Sequence, residues 1–160
     1  MSSVGWDKLR KQIDIDREML DRLLDAFWPL LDELSLGKQP TQVEVMAMAS
    51  LLQSFYNGVE NVFKRIVIAV DGGCPRGDAW HNRLLMQVGQ ATPKRPAVLP
   101  QEALMRLKKY LDFRHLFRHG YAFVLEWERM DSLVLGCAQC LVDFERGLAL
   151  FLQGLPDAQD

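Results

Sequence analysis

The sequence predicts an all-α fold, an antiparallel bundle of four long helices with one short extra helix. Three observations predict it. Apolar residues recur at helical spacing in the first and last long stretches and crowd a third between them, no run shows the alternation of a strand, and glycine and proline gather in the segments between. A chain of 160 residues has room for one domain with a hydrophobic core, and we read residues 1–160 as a single domain. Its 49% hydrophobic and 25% charged residues are those of a folding chain, because a disordered one lacks the apolar matter to offset the entropy of ordering.

The first helix is expected from Trp6 to Leu34, where Leu9, Ile13, Leu20, Leu23, Leu24, Phe27, Leu30, Leu31 and Leu34 keep helical spacing. Pro29 predicts a bend within it rather than a stop. Asp14, Asp16, Arg17, Glu18, Asp21 and Arg22 read as its solvated face. SLGKQPTQ, residues 35–42, is a turn.

The second helix is expected from Gln42 to Val70. It is apolar on more than one side, so it is either central or shared with a second subunit. A narrow polar line of Gln53, Asn57, Glu60 and Lys64 crosses it. Two readings of that line stand: an exposed edge with a Glu60–Lys64 ion pair, or polar groups supporting a site. DGGCPRGD, residues 71–78, holds three glycines and a proline and forms a loop. It is no phosphate cradle, since no strand precedes it and no Gly-Lys-Ser/Thr follows.

Residues 79–90 make the short extra helix, and the proline-rich 91–100 a second connection. The third long helix starts near Gln101, after Pro100, and reaches at least His119, with Gly120 placed to end or bend it. The fourth runs from Glu126 to Leu152 on Met130, Leu133, Val134, Cys137, Leu141, Phe144, Leu148 and Phe151. Cys137 and Cys140 form a CxxC in mid-helix among apolar neighbours, without a second pair, and read as core thiols.

The formal charge of −2 argues against a protein that coats nucleic acid, so contact with nucleic acid must be local. No apolar run is long enough to span a bilayer and the start lacks a signal-peptide pattern, which leads us to expect a cytoplasmic protein with no membrane partner. Three cysteines, an odd number, fit a reducing compartment.

FRHLFRHGY, residues 113–121, crowds two arginines, two histidines and a tyrosine together in a chain with only three histidines. At about 100° per residue, with Arg114 at zero, Arg118, His115, His119 and Tyr121 fall near 40°, 100°, 140° and −20°. Phe113, Leu116 and Phe117 fall near 260°, 200° and 300°, which predicts a core face opposite a cationic, titratable face. Three readings fit. The first is a solvated helix face with Asp112 as counter-ion. The second is a metal site on His115 and His119, one turn apart, with Asp112 or His81 as further ligands, though flanked by two arginines.

The third is catalysis. Imidazole both accepts and donates a proton near neutral pH, and a guanidinium fork matches the oxygens of a phosphodiester. Those groups suit RNA cleavage by the adjacent ribose 2′-OH, with His119 in proton transfer and Arg114 stabilising the transition-state charge. The reaction needs no metal and no other cofactor. Residues 94–118 carry seven cations against Glu102 and Asp112, +5 in sum, which leaves −7 for the remainder and fits a local basic cleft.

Arg114, four residues, His119, one residue, Tyr121 resembles the R-x4-H-x-Y motif of the HepT-like group in the HEPN superfamily of small helical ribonucleases. His115, directly after the arginine, also fits, and the glycine-rich segment ending in Trp80, His81, Leu84 and Leu85 resembles a HepT-like subgroup. The resemblance implies a homodimer whose two copies of Arg114 and His119 form a composite site, with His115, Arg118 and Tyr121 in support. It further implies an endoribonuclease toxin acting on RNA. Its partner would be an MNT-type nucleotidyltransferase antitoxin that adds adenylate to Tyr121 (AMPylation). The rival expectation is a non-catalytic HEPN module that binds nucleotide or a partner protein.

Overall fold

The computed structural model describes residues 5–119 and 125–155, and these form an all-helical bundle without a β-strand. α1 spans Trp6–Ser35, α2 Gln42–Ile66, α3 Trp80–Val88, α4 Gln101–His119 and α5 Asp131–Gln153. Four are long and α3 is short, as the periodicity predicts. A π-helical turn, Val67–Asp71, extends α2, and a 3-10 turn, Trp127–Arg129, precedes α5. The stretch expected as the first turn of the last helix is thus tighter than an α-helix, and α5 proper starts five residues later than expected.

α2 is the central element. Val45, Met48, Leu51, Leu52, Phe55, Tyr56, Val59, Val62, Phe63 and Ile66 are all buried, which answers its apolar character on several sides: α1, α3, α4 and α5 all pack against it. Each such side chain contributes roughly 1.5–3 kcal/mol relative to exposure, so this helix anchors the core. A capping box starts it. The Thr41 hydroxyl accepts from the Glu44 N–H at 3.2 Å and the Thr41 N–H donates to the Glu44 carboxylate at 3.0 Å. Gly58 lets α1 approach, since a Cβ there would lie 2.5 Å from Leu20.

α1 continues through Pro29 as one helix. Part of its expected solvated face is engaged instead. Asp16 pairs with Arg65 of α2, and Arg17 reaches Glu145 of α5 at 3.6 Å. These carboxylates and guanidiniums lie on the flanks of the apolar stripe, where neighbouring helices come within reach.

Gly72 and Gly77 adopt left-handed backbone, φ 89° and 96°, and turn the chain between the π-helical turn and α3. The connection from α3 to α4 is tied down by Arg95, whose side chain is fully buried. Its Nε and Nη2 donate to the two Asp71 oxygens at 2.8 and 2.7 Å, and further bonds reach the carbonyls of Gln87, Gln90 and Pro96. Cys137 and Cys140 are buried in the core, as their apolar neighbours predict. Burial pushes the Cys140 thiol up to about 11, so it stays protonated and unreactive.

Candidate active site

The site forms where α2, α3 and α4 meet. On the wheel that places Arg114 at zero, the buried Leu104, Leu107, Tyr110, Leu111 and Phe113 span from about 260° through zero to about 80°. The core sector of α4 is therefore centred on Arg114 and does not lie opposite it. Leu116 is not a core residue; it is 59% exposed, on the same outer stripe as Met105. Three apolar positions are too few to fix a helix face, and the upstream turns decide it. Phe117 does pack against the core, stacked with Phe113 at 6.3 Å.

This rotation places the Arg114 guanidinium partly inside the bundle. Its Nη1 lies 3.4 Å from Nδ1 of His81, and its Nε is buried without a hydrogen-bond partner. His81 Nδ1 lies 2.7 Å from Glu60 Oε2. Glu60 is 3% exposed, in the middle of α2. The expected Glu60–Lys64 pair is absent from this arrangement: Glu60 engages His81, while Lys64 stands over the Trp80 ring at 4.7 Å. A buried carboxylate needs a close polar partner, and the first turn of α3 supplies one.

Trp80 lies against the His81 ring with 3.7 Å between centroids, so the imidazole is held on its face by an indole and at Nδ1 by a carboxylate. Tyr56, one turn before Glu60, is buried as well. Burial, and then the Glu60 carboxylate, push its phenol far above the ordinary range, with Arg114 opposing, so it remains a neutral hydroxyl.

A cleft of about 250 Å³ opens beside this group. Arg114, His115 and Arg118 line it from α4, and His81 and Asn82 from α3. Asp78 and Asp112 add negative charge at the same cleft. Of the predicted site residues, the structure therefore brings Arg114, His115 and Arg118 to one cavity. His119 is the last residue of α4, and its side chain, with Gly120 and Tyr121, lies outside the described residues. Among the described residues, no group of three or more His, Cys, Asp or Glu side chains is placed to hold a metal ion.

Part of the basic segment's charge is paired within the fold. Arg95 is buried on Asp71, Arg106 pairs with Asp143 at 2.8 Å, and Lys108 pairs with Asp112 at 2.8 Å. Arg114 and Arg118 are the segment's cations at the cleft. Sequence reasoning did not join Glu60 to His81. The signal was there: a carboxylate flanked by Val59, Val62 and Phe63 in a helix apolar all round must be buried, and so must find a partner.

No helix among the described residues is long and apolar enough to cross a membrane. Comparison with curated proteins and with solved structures returns no match. A family model described as HepT-like protein matches residues 47–155, from the second turn of α2 to the end of α5, which includes every element that builds the cleft. With more than half of its length matched, and with the helical bundle that family calls for, the chain belongs to the HepT-like family of HEPN proteins.

Proposed function

We propose that the chain is a metal-independent endoribonuclease, the toxin of a HepT/MNT toxin–antitoxin pair, cytoplasmic and active as a homodimer. One observation carries the reading. The half-buried guanidinium of Arg114 lines a cleft together with His115, Arg118 and His81. Its fork of N–H donors matches the oxygens of a phosphodiester entering that cleft. Family membership supports the same chemistry.

In this reading Arg114 stabilises the charge that develops on phosphorus, and His119 moves a proton at an RNA oxygen. His115 and Arg118 hold the flanking backbone. The second subunit contributes the same set, making the site composite. Tyr121 is the residue the antitoxin adenylates, which adds a bulky anion beside the cleft and repels RNA. No cofactor enters the scheme.

The test is incubation of the purified protein with single-stranded RNA in EDTA. Cleavage leaving a cyclic phosphate end is expected, and His119→Ala should abolish it while the far-UV circular dichroism stays unchanged. Cleavage that stops on chelation would overturn the metal-independent reading. RNA binding without cleavage would favour the non-catalytic module. Co-expression with an MNT-type nucleotidyltransferase should raise the mass by adenylate units, and Tyr121→Phe should prevent it.

A further inference from the structure

Besides His115, the cleft is lined by the imidazole of His81, which comes from α3 and lies outside the R-x4-H-x-Y motif. A carboxylate only accepts hydrogen bonds, so the 2.7 Å contact between Glu60 Oε2 and His81 Nδ1 places the ring proton on Nδ1. The neutral ring then keeps its lone pair on Nε2, which has no partner among the described residues. Trp80 packs on the ring face, and the side chain is 21% exposed, so the ring is fixed yet reachable.

Arg114 Nη1 at 3.4 Å from Nδ1 is no hydrogen bond in this tautomer, since both atoms carry hydrogens. It does set the guanidinium beside the imidazole. Both side chains line one cleft, so a phosphodiester held by Arg114 would share it with the His81 ring.

We infer that His81 is a catalytic residue of this site, the general base that activates the ribose 2′-OH through Nε2, with Glu60 as the positioning residue that fixes its tautomer. The inference rests on the ribonuclease reading above. The 2′-OH proton passes to His81 Nε2 as the O2′–P bond forms. The P–O5′ bond breaks, and O5′ takes a proton from the imidazolium of His119. The products are a 2′,3′-cyclic phosphate and a 5′-hydroxyl. Exchange with water then returns His81 to neutral and His119 to charged. Glu60 stabilises the His81 imidazolium formed in the step, as a buried carboxylate does behind a catalytic histidine.

Several charges face His81. Glu60 and, across Trp80, Lys64 come from α2; Arg114, His115 and Arg118 come from α4. Asp78 and Asp112 stand at the cleft.

The experiment is single-turnover cleavage of an oligoribonucleotide in EDTA by wild type, His81→Gln and Glu60→Gln, between about pH 5 and 8. Binding of the same oligonucleotide with its 2′-OH groups removed is measured alongside. Wild type should show a rate that rises with pH along an acidic limb. His81→Gln should lose about 10²- to 10⁴-fold in rate and lose that limb, with binding unchanged. Glu60→Gln, nearly isosteric, should lose at least tenfold, because an amide can donate to Nδ1 and shift the ring proton to Nε2. Added imidazole should restore part of the rate to His81→Ala.

A His81→Gln protein with wild-type rate and limb overturns the assignment while leaving the ribonuclease reading intact. A loss of binding with an unaltered pH profile makes His81 a structural residue and also overturns it. Should His81→Gln fail to fold, Glu60→Gln carries the test by the same criteria. A wild type that cuts no RNA removes both readings together.

Discussion

Arg95→Ala tests how the bundle holds α3, and with it His81, in place. The Arg95 side chain has no exposed surface, and its five hydrogen bonds go to the Asp71 carboxylate and to the carbonyls of Gln87, Gln90 and Pro96. Truncation leaves those carbonyls and a mostly buried carboxylate without their cation, although Gln87 still donates to Asp71 at 2.8 Å. Removing one partner of a buried pair costs about 3–5 kcal/mol. For a chain of this size that corresponds to a drop in Tm of about 6–20 °C. Urea unfolding followed by far-UV circular dichroism measures it. Arg95→Lys should recover little, because an ammonium cannot reproduce the fork.

The pair also predicts an acid dependence. Burial raises the Asp71 carboxyl, but the bonds from Arg95 and Gln87 outweigh it and hold the group below its ordinary value of 3.8. The folded state thus favours the ionised form. Its stabilisation is present above the ordinary value and is lost as pH falls through the lowered one. In Arg95→Ala this acid loss should shrink. A destabilisation below about 1 kcal/mol, with the acid profile unchanged, would refute the argument that this pair locks the connection.

Thr41→Ala removes the capping box and should cost about 1 kcal/mol in chemical denaturation. Gly147→Val would drive a Cβ to 2.5 Å from the buried Leu99, and we expect a loss of about 1–3 kcal/mol by the same assay. Glu145 is pushed up to about 7 by burial and then by Asp21, with Arg17 opposing. A carboxyl raised in the folded state withdraws stability as pH climbs from its ordinary 4.5 through about 7, so Glu145→Gln should flatten the decline in Tm of the wild type across that window.

The long helices are legible because apolar residues keep helical spacing through most of them, and the loops because Gly72 and Gly77 break a helix while Pro100 marks the start of the next. The π-helical turn at Val67–Asp71 and the 3-10 turn at Trp127–Arg129 are not legible, since a one-turn change of winding leaves no distinct apolar period in the sequence. At the site, the clustering of Arg114, His115 and Arg118 can be read from one helix. The rotation of that helix cannot be read from nine residues, which is why Leu116 appears as core and Arg114 as surface until the preceding turns are counted. Glu60 and His81 are 21 positions apart, and only the fold brings them together.

The central claim is that the Arg114 cleft breaks RNA without a metal, and the most direct measurement is the cleavage rate of one RNA in excess chelator for wild type and Arg114→Ala. A wild-type rate indifferent to EDTA, with a cyclic phosphate terminus and a fall of about 10²- to 10³-fold in the variant, is the predicted result. Equal rates for the two proteins would contradict it.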